Sequence, residues 1–283
     1  MQRSRCQGVV SLMSRVRHHV NKLFRAAFRW IHFYRGNAIV SPTMFRRIAL
    51  FFLLGAASMC AQEAKQTFNI QPLRPVAELR AEALKAQPPA EQGDFRRPEL
   101  VELIKLDPTL KLDIHYASKN NFLGTPLYTE ARAFLQNPAA EAVARANRKL
   151  HQQGYGLLVF DAYRPWYVTK IFWDATPPAQ HGYVADPSQG SRHNRGCAVD
   201  LTIYDLKTGQ PIAMPSSYDE FSDSAHADYR GGTGEERAHR ELLRTTMEAE
   251  GFTVYQNEWW HFDYKDWRQY PIMNVPFSEV RSR

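Results

Sequence analysis

Two short segments, SRHNRGCAVDLT from Ser191 to Thr202 and EWWHF from Glu258 to Phe262, constrain the fold of this chain more than any other feature. They supply His193, Asp200 and His261 as candidate ligands for one metal ion and Glu258 as a candidate base beside it. A catalytic zinc commonly takes three His, Asp or Glu side chains and leaves a fourth position for water, whose pKa falls far enough to make it a nucleophile near neutral pH. Any fold that serves this chemistry must bring the two segments together.

Spacing gives each segment a local structure. Cys197, Val199, Leu201 and Ile203 alternate with Ala198, Asp200, Thr202 and Tyr204, which predicts a strand with one buried face and Asp200 on the other. Gly196 lets the chain bend between His193 and that strand. In the second segment His261 and Asp263 share one face, with Phe262 and Tyr264 on the opposite one, again as in a strand. Glu258, three residues before His261, can reach the metal water or the metal itself. Each segment taken alone also fits a plainer reading, in which its His or Asp is a buried polar group satisfied by hydrogen bonds.

The match to a known family lies in these segments and three others. Ser191, His193, Gly196, Ala198 and Asp200 fit a motif S-x-H-x-x-G-x-A-x-D, and Glu258 to Phe262 fit E-W-W-H-F. With DIHYASKNNFLG at Asp113 to Gly124, DAYRP at Asp161 to Pro165 and SYDEFSDSAH at Ser217 to His226, the chain resembles the D-alanyl-D-alanine dipeptidases, VanX-like zinc peptidases of family M15. The resemblance runs from about Val101 to Tyr270. It implies one Zn2+ per chain held by His193, Asp200 and His261, with Glu258 as general base. It further implies Arg164 as the residue that steadies the oxyanion, Ser191 as a contact to the substrate carboxylate and Asp219 as the partner of the substrate ammonium. Tyr116 is a candidate for the wall of the substrate cleft. The implied reaction is hydrolysis of free D-alanyl-D-alanine to two D-alanines in cell-wall metabolism. The alternative is a peptidoglycan D,D- or L,D-carboxypeptidase, which applies the same chemistry to longer stem peptides.

The remaining landmarks set the fold class. Asn137 as N-cap and Pro138 at the first helical position predict a helix that continues over 139–153 and stops at Gly154, and a strand follows at 157–160. A short helix over 166–173, a second over 235–250, and late strands at 252–255 and 259–264 complete the pattern. Residues 174–191, rich in Pro, Gly and Gln, read as a loop beside the cleft. The expectation is an α+β domain, a small antiparallel sheet flanked by helices, of the kind the resemblance implies for the Hedgehog and DD-peptidase fold. Neither a nucleotide-binding glycine loop nor a nucleophile elbow is present. Cys197 reads as a small buried hydrophobe, and Trp259 and Trp260 as core and cleft wall.

The amino-terminal part belongs to a different function. Residues 1–61 read as a basic leader plus a secretory signal peptide, with Arg46 and Arg47 ahead of the apolar run from Ile48 to Ala57; translation from Met44 would explain the long leader. The mature protein is therefore expected in the periplasm with no stable membrane insertion, the lesser alternative being a lipid anchor at Cys60. This leader holds ten Lys or Arg and no acidic residue, so the formal charge of +7 becomes −3 for the rest of the chain. Nucleic-acid binding loses its compositional support. Residues 62–97 read as a Pro/Ala-rich arm or tether, and 98–283 as the catalytic domain, whose partner is a small dipeptide.

Overall fold

In a computed structural model of the chain, the described residues are 68–281. The leader, the signal peptide and Cys60 lie outside them. Among the described residues no helix is long and apolar enough to cross a membrane.

In chain order the elements are α1 (Val76–Ala83), β1 (Leu100–Glu102), α2 (Leu103–Leu106), β2 (Lys111–Leu112), β3 (Phe134–Gln136), α3 (Asn137–His151), β4 (Tyr155–Asp161), α4 (Trp166–Ala175), β5 (Ala198–Asp205), α5 (Gly234–Glu248), β6 (Phe252–Tyr255) and β7 (Glu258–Tyr264). The central sheet has five strands in the order β2-β4-β5-β7-β6, and β1 pairs with β3 in a separate antiparallel ribbon. This is the expected α+β architecture with one difference. The sheet is mixed, because the short edge strand β2 joins β4 in parallel while all other pairs are antiparallel. A two-residue edge strand carries too little alternation to register in a sequence reading.

Helix α3 packs against β4, and its buried positions are mostly alanine, which allows the helix to approach the sheet closely. It begins one residue earlier than its sequence signals suggest: Asn137 is helical and Gln136 occupies the capping position without capping through its side chain. The Gln136 amide is committed elsewhere, accepting from Glu99 N and donating to the Arg195 carbonyl. Helix α5 starts with a capping box in which Thr233 and Glu236 satisfy each other's backbone N–H groups. Such a cap stabilises a helix by about 1 kcal/mol.

Strand β5 is buried along both faces, not along one. Val199, Leu201 and Ile203 belong to the core, while the face bearing Asp200 is covered by the loop that carries Tyr218. The described part of the expected tether is also packed. Leu79 and Ala83 of α1 are fully buried, α1 lies against α4, and backbone bonds join Ile70 to Phe122, Leu73 to Ala175 and Arg96 to Gln269. Its Pro and Ala content conceals only a few anchoring residues, and these suffice to hold it.

Candidate active site

Register places three of the polar side chains in one row. Asp161 of β4 pairs with Asp200 of β5, and Asp200 pairs with His261 of β7. Directly paired residues on adjacent strands present their side chains to the same face, so the three converge without help from any loop. The pairing of β4 shifts between Val159 and Asp161, an irregularity that changes which face the end of the strand presents.

His193 comes from the turn that leads into β5. It begins a short 3-10 turn, His193–Arg195, closed by Gly196 in the left-handed conformation at φ 67°. A Cβ there would lie 2.7 Å from Leu100, so both the backbone and the packing call for glycine. Asn194 fixes the turn from within: its side chain accepts from Ser191 N and donates to the Arg164 carbonyl and to Thr169 Oγ1. The Arg164 N–H donates in return to the His193 carbonyl. These bonds tie the turn to the end of β4.

The resulting cluster is a small triangle. His193 Nε2 lies 3.1 Å from His261 Nδ1 and 3.3 Å from Asp200 Oδ1, and His261 Nδ1 lies 3.0 Å from the same oxygen. The donor atoms of a tetrahedral zinc, with bonds of about 2.0–2.1 Å, are about 3.3–3.4 Å apart. The outer contacts orient the lone pairs. His193 Nδ1 meets the Ala162 carbonyl at 2.6 Å, and His261 Nε2 meets Asp263 Oδ1 at 2.9 Å. Each ring thereby keeps its proton on the outer nitrogen and turns a lone pair inward. Tyr218 donates to Asp200 Oδ2 at 2.9 Å, while the buried Oδ1 has no hydrogen-bond partner. Two inward nitrogens and an orphaned carboxylate oxygen within 3.3 Å repel one another unless a cation lies between them, so the donor set fits a metal ion.

Around the cluster is a cavity of about 130 Å³, lined by Tyr116, Arg164, Ser191, Asp219 and Glu258 among others. The four expected substrate and oxyanion residues thus share one space with the base and the cluster. Glu258, 24% exposed at the side chain, places Oε2 3.6 Å from His261 Nδ1, and burial pushes its carboxyl up to about 7. Arg164 donates from Nε and Nη2 to Asp161 Oδ2, at 3.0 and 2.8 Å, and Nη2 stands 3.8 Å from Asp200 Oδ2. Arg164 is thus salt-bridged to Asp161 and stands beside the cluster. Ser191 Oγ accepts from His193 N at 3.2 Å, which leaves its O–H able to donate.

Asp219 has a backbone φ of 58°, and no other non-glycine residue among those described has a positive φ. Strain of this kind persists where the surroundings over-determine it, as at a ligand site. The Asp219 side chain accepts from Tyr116 Oη through both oxygens, at 3.0 and 2.9 Å, but forms no ion pair among the described residues. Burial, with the nearby charge of Asp200, raises its carboxyl well above the usual range. An aromatic wall borders this end of the cavity, where Phe221 stacks on Tyr183 at 4.7 Å and touches Phe122. Phe68, from the amino-terminal arm, backs Phe221 at 4.8 Å.

Sequence reasoning did not single out Asn194, Tyr218 or Asp263 for the tasks they perform. One of them carried a signal: Tyr218 directly precedes Asp219 in SYDEF. Cys197 is fully buried beside the cluster without joining it, its thiol pushed up to about 12 by burial.

A five-stranded α+β domain that brings two histidines and an aspartate together at the floor of a polar cavity, with a carboxylate at its side, has the form of a metallopeptidase. A family model described as D-Ala-D-Ala dipeptidase, Peptidase M15, matches residues 96–282. A D-alanyl-D-alanine dipeptidase of Escherichia coli K12 is 34% identical over 180 residues, covering 64% of this chain and 92% of that protein. One from Enterococcus faecium is also 34% identical, over 56% of this chain and 87% of its own length. A solved D,D-pentapeptidase, VanY, in complex with Zn(II) overlaps 47% of this chain and 74% of its own at 18% identity, with a TM-score of 0.31. The chain belongs to the D-Ala-D-Ala dipeptidase family of M15 metallopeptidases.

Proposed function

We propose that the protein hydrolyses free D-alanyl-D-alanine to two D-alanines with one zinc ion held by His193, Asp200 and His261. The observation that carries the choice of a free dipeptide is Asp219, a carboxylate 8% exposed, without an ion-pair partner among the described residues and in the same cavity as the cluster. A buried charge without a counter-charge is costly, and a substrate ammonium would supply one. An amine-blocked stem peptide offers no such cation. The cavity is also small, well below the roughly 300–1,000 Å³ of sites for drug-sized ligands.

When bound, zinc supplies Lewis acidity and makes water a nucleophile near neutral pH. Glu258 takes the proton that the attacking water loses as its oxygen adds to the carbonyl carbon, and delivers it to the nitrogen of the leaving D-alanine as the carbonyl re-forms and the C–N bond breaks. Arg164, held by Asp161, offers its charge to the carbonyl oxygen as negative charge develops there. Asp219, positioned by Tyr116, holds the ammonium, and the Ser191 hydroxyl donates to the carboxylate. Export across the inner membrane to the periplasm, with Met44 to Ala61 as signal peptide, belongs to the same proposal and rests on sequence alone.

The test is amine release from D-alanyl-D-alanine by the purified chain loaded with one equivalent of zinc. Release that falls by about 10²–10⁴ in Glu258→Gln, with zinc still bound, is expected. A zinc-loaded, folded chain that releases no amine would contradict the proposal.

A further inference from the structure

We infer that Arg192 is a specificity-determining residue that binds the carboxylate end of the substrate, an inference that rests on the dipeptidase reading above. A dipeptide is a zwitterion, and Asp219 answers only its positive end. Lys and Arg side chains enter the cavity lining at two places, Arg164 and Arg192. Arg164 is committed, since its Nε and Nη2 both donate to Asp161 and it stands beside Asp200. Arg192 is placed differently.

Its side chain is 41% exposed and makes no hydrogen bond among the described residues. It is nevertheless held in place. The guanidinium lies 4.9 Å from the centre of the Trp267 ring, and Nε is 3.4 Å from Asp263 Oδ2. The other oxygen of Asp263 is engaged by His261 Nε2, so that carboxylate neutralises Arg192 only in part. A planar guanidinium oriented by an aromatic face, with unengaged N–H groups, suits a carboxylate accepting two parallel bonds.

Position along the chain favours the same assignment. Arg192 stands between Ser191, whose hydroxyl is free to donate, and His193 of the metal cluster. Asp219 belongs to the separate loop between β5 and α5. The two ends of the substrate would then be read by two loops on the same cavity, with the scissile bond between them and the cluster below. Arg192 would set a requirement for a free C-terminal carboxylate, as Asp219 sets one for a free amine.

The experiment compares D-alanyl-D-alanine with its C-terminal amide as substrates of the zinc-loaded wild-type chain, Arg192→Gln and Arg192→Lys. In Arg192→Gln the KM for the free acid should rise roughly tenfold to a hundredfold, the range of one charge-assisted hydrogen bond, with kcat changed much less. The amide should be cleaved as by wild type, so the preference for the acid collapses, and Arg192→Lys should retain part of it. Zinc content and the thermal midpoint should stay at their wild-type values. An unchanged acid preference in Arg192→Gln, or an equal loss on acid and amide, would overturn the inference and leave the dipeptidase reading standing. Wild-type protein that cleaves neither substrate would overturn both.

Discussion

Asp200 divides its two oxygens between structure and chemistry. Oδ2 accepts the Tyr218 hydroxyl, which fixes the carboxylate plane, and Oδ1 faces the two histidines. Each side chain of the cluster is positioned by an outer partner in this way: the Ala162 carbonyl for His193, Asp263 for His261 and Tyr218 for Asp200. Such partners typically contribute 10- to 100-fold to metal affinity, so Asp263→Asn is expected to weaken zinc binding by roughly that factor, measured by competition with a chelating dye. The Asn side chain can still reach His261 but lacks the charge that keeps the ring proton on Nε2. Asp219→Asn tests the opposite end of the cavity. Removing the counter-charge should raise KM for the free dipeptide by roughly tenfold or more while zinc content stays constant. A kcat loss at unchanged KM would place Asp219 in the chemical step instead.

At the scale of elements, the site is the product of one sheet register and two loops. Strands β4, β5 and β7 present Asp161, Asp200 and His261 in a row, and a one-residue slip of β7 would move His261 to the opposite face. Alternation predicts strands at β5 and β7 because each is long and carries apolar residues at every second position. Which strands are neighbours is a long-range property that no local pattern contains. The same limit hid β1, β2 and β3, each three residues or fewer, and it hid the role of the arm. Glu91 illustrates the point: in the sequence it is one acidic residue in a Pro-rich stretch, yet its carboxylate receives both the Arg195 guanidinium and the Ile272 N–H. The arm is thereby tied to the turn that carries His193. Leu79 anchors its helix, and Leu79→Ala is expected to cost about 2–5 kcal/mol in denaturant unfolding, as for other fully buried leucines. A change below about 0.5 kcal/mol would mean that the arm docks without contributing to stability.

Viewed as a whole, the described residues belong to one compact unit with the His193, Asp200 and His261 cluster near the centre of its sheet, so a metal bound there would link occupancy to folding. A ligand at 1,000 times its Kd stabilises by about 4 kcal/mol, and in a domain of this size each kcal/mol moves the melting point by about 2–4 °C. Stripping zinc should therefore lower the midpoint by roughly 8–16 °C, and re-addition of zinc should restore it. The sequence made the family and the His193, Asp200 and His261 cluster legible because they lie in short, dense motifs. It left Arg192, Tyr218 and Asp263 to the structure, since they gain their meaning only from what they face. The most direct test of a zinc dipeptidase that reads a free amine is the ratio of kcat/KM for D-alanyl-D-alanine to that for its N-acetylated form, measured on the zinc-loaded chain. A ratio of roughly a hundred or more is expected from an unpaired buried carboxylate that needs an ammonium; a ratio near or below one would contradict the account and turn the site towards amine-blocked stem peptides.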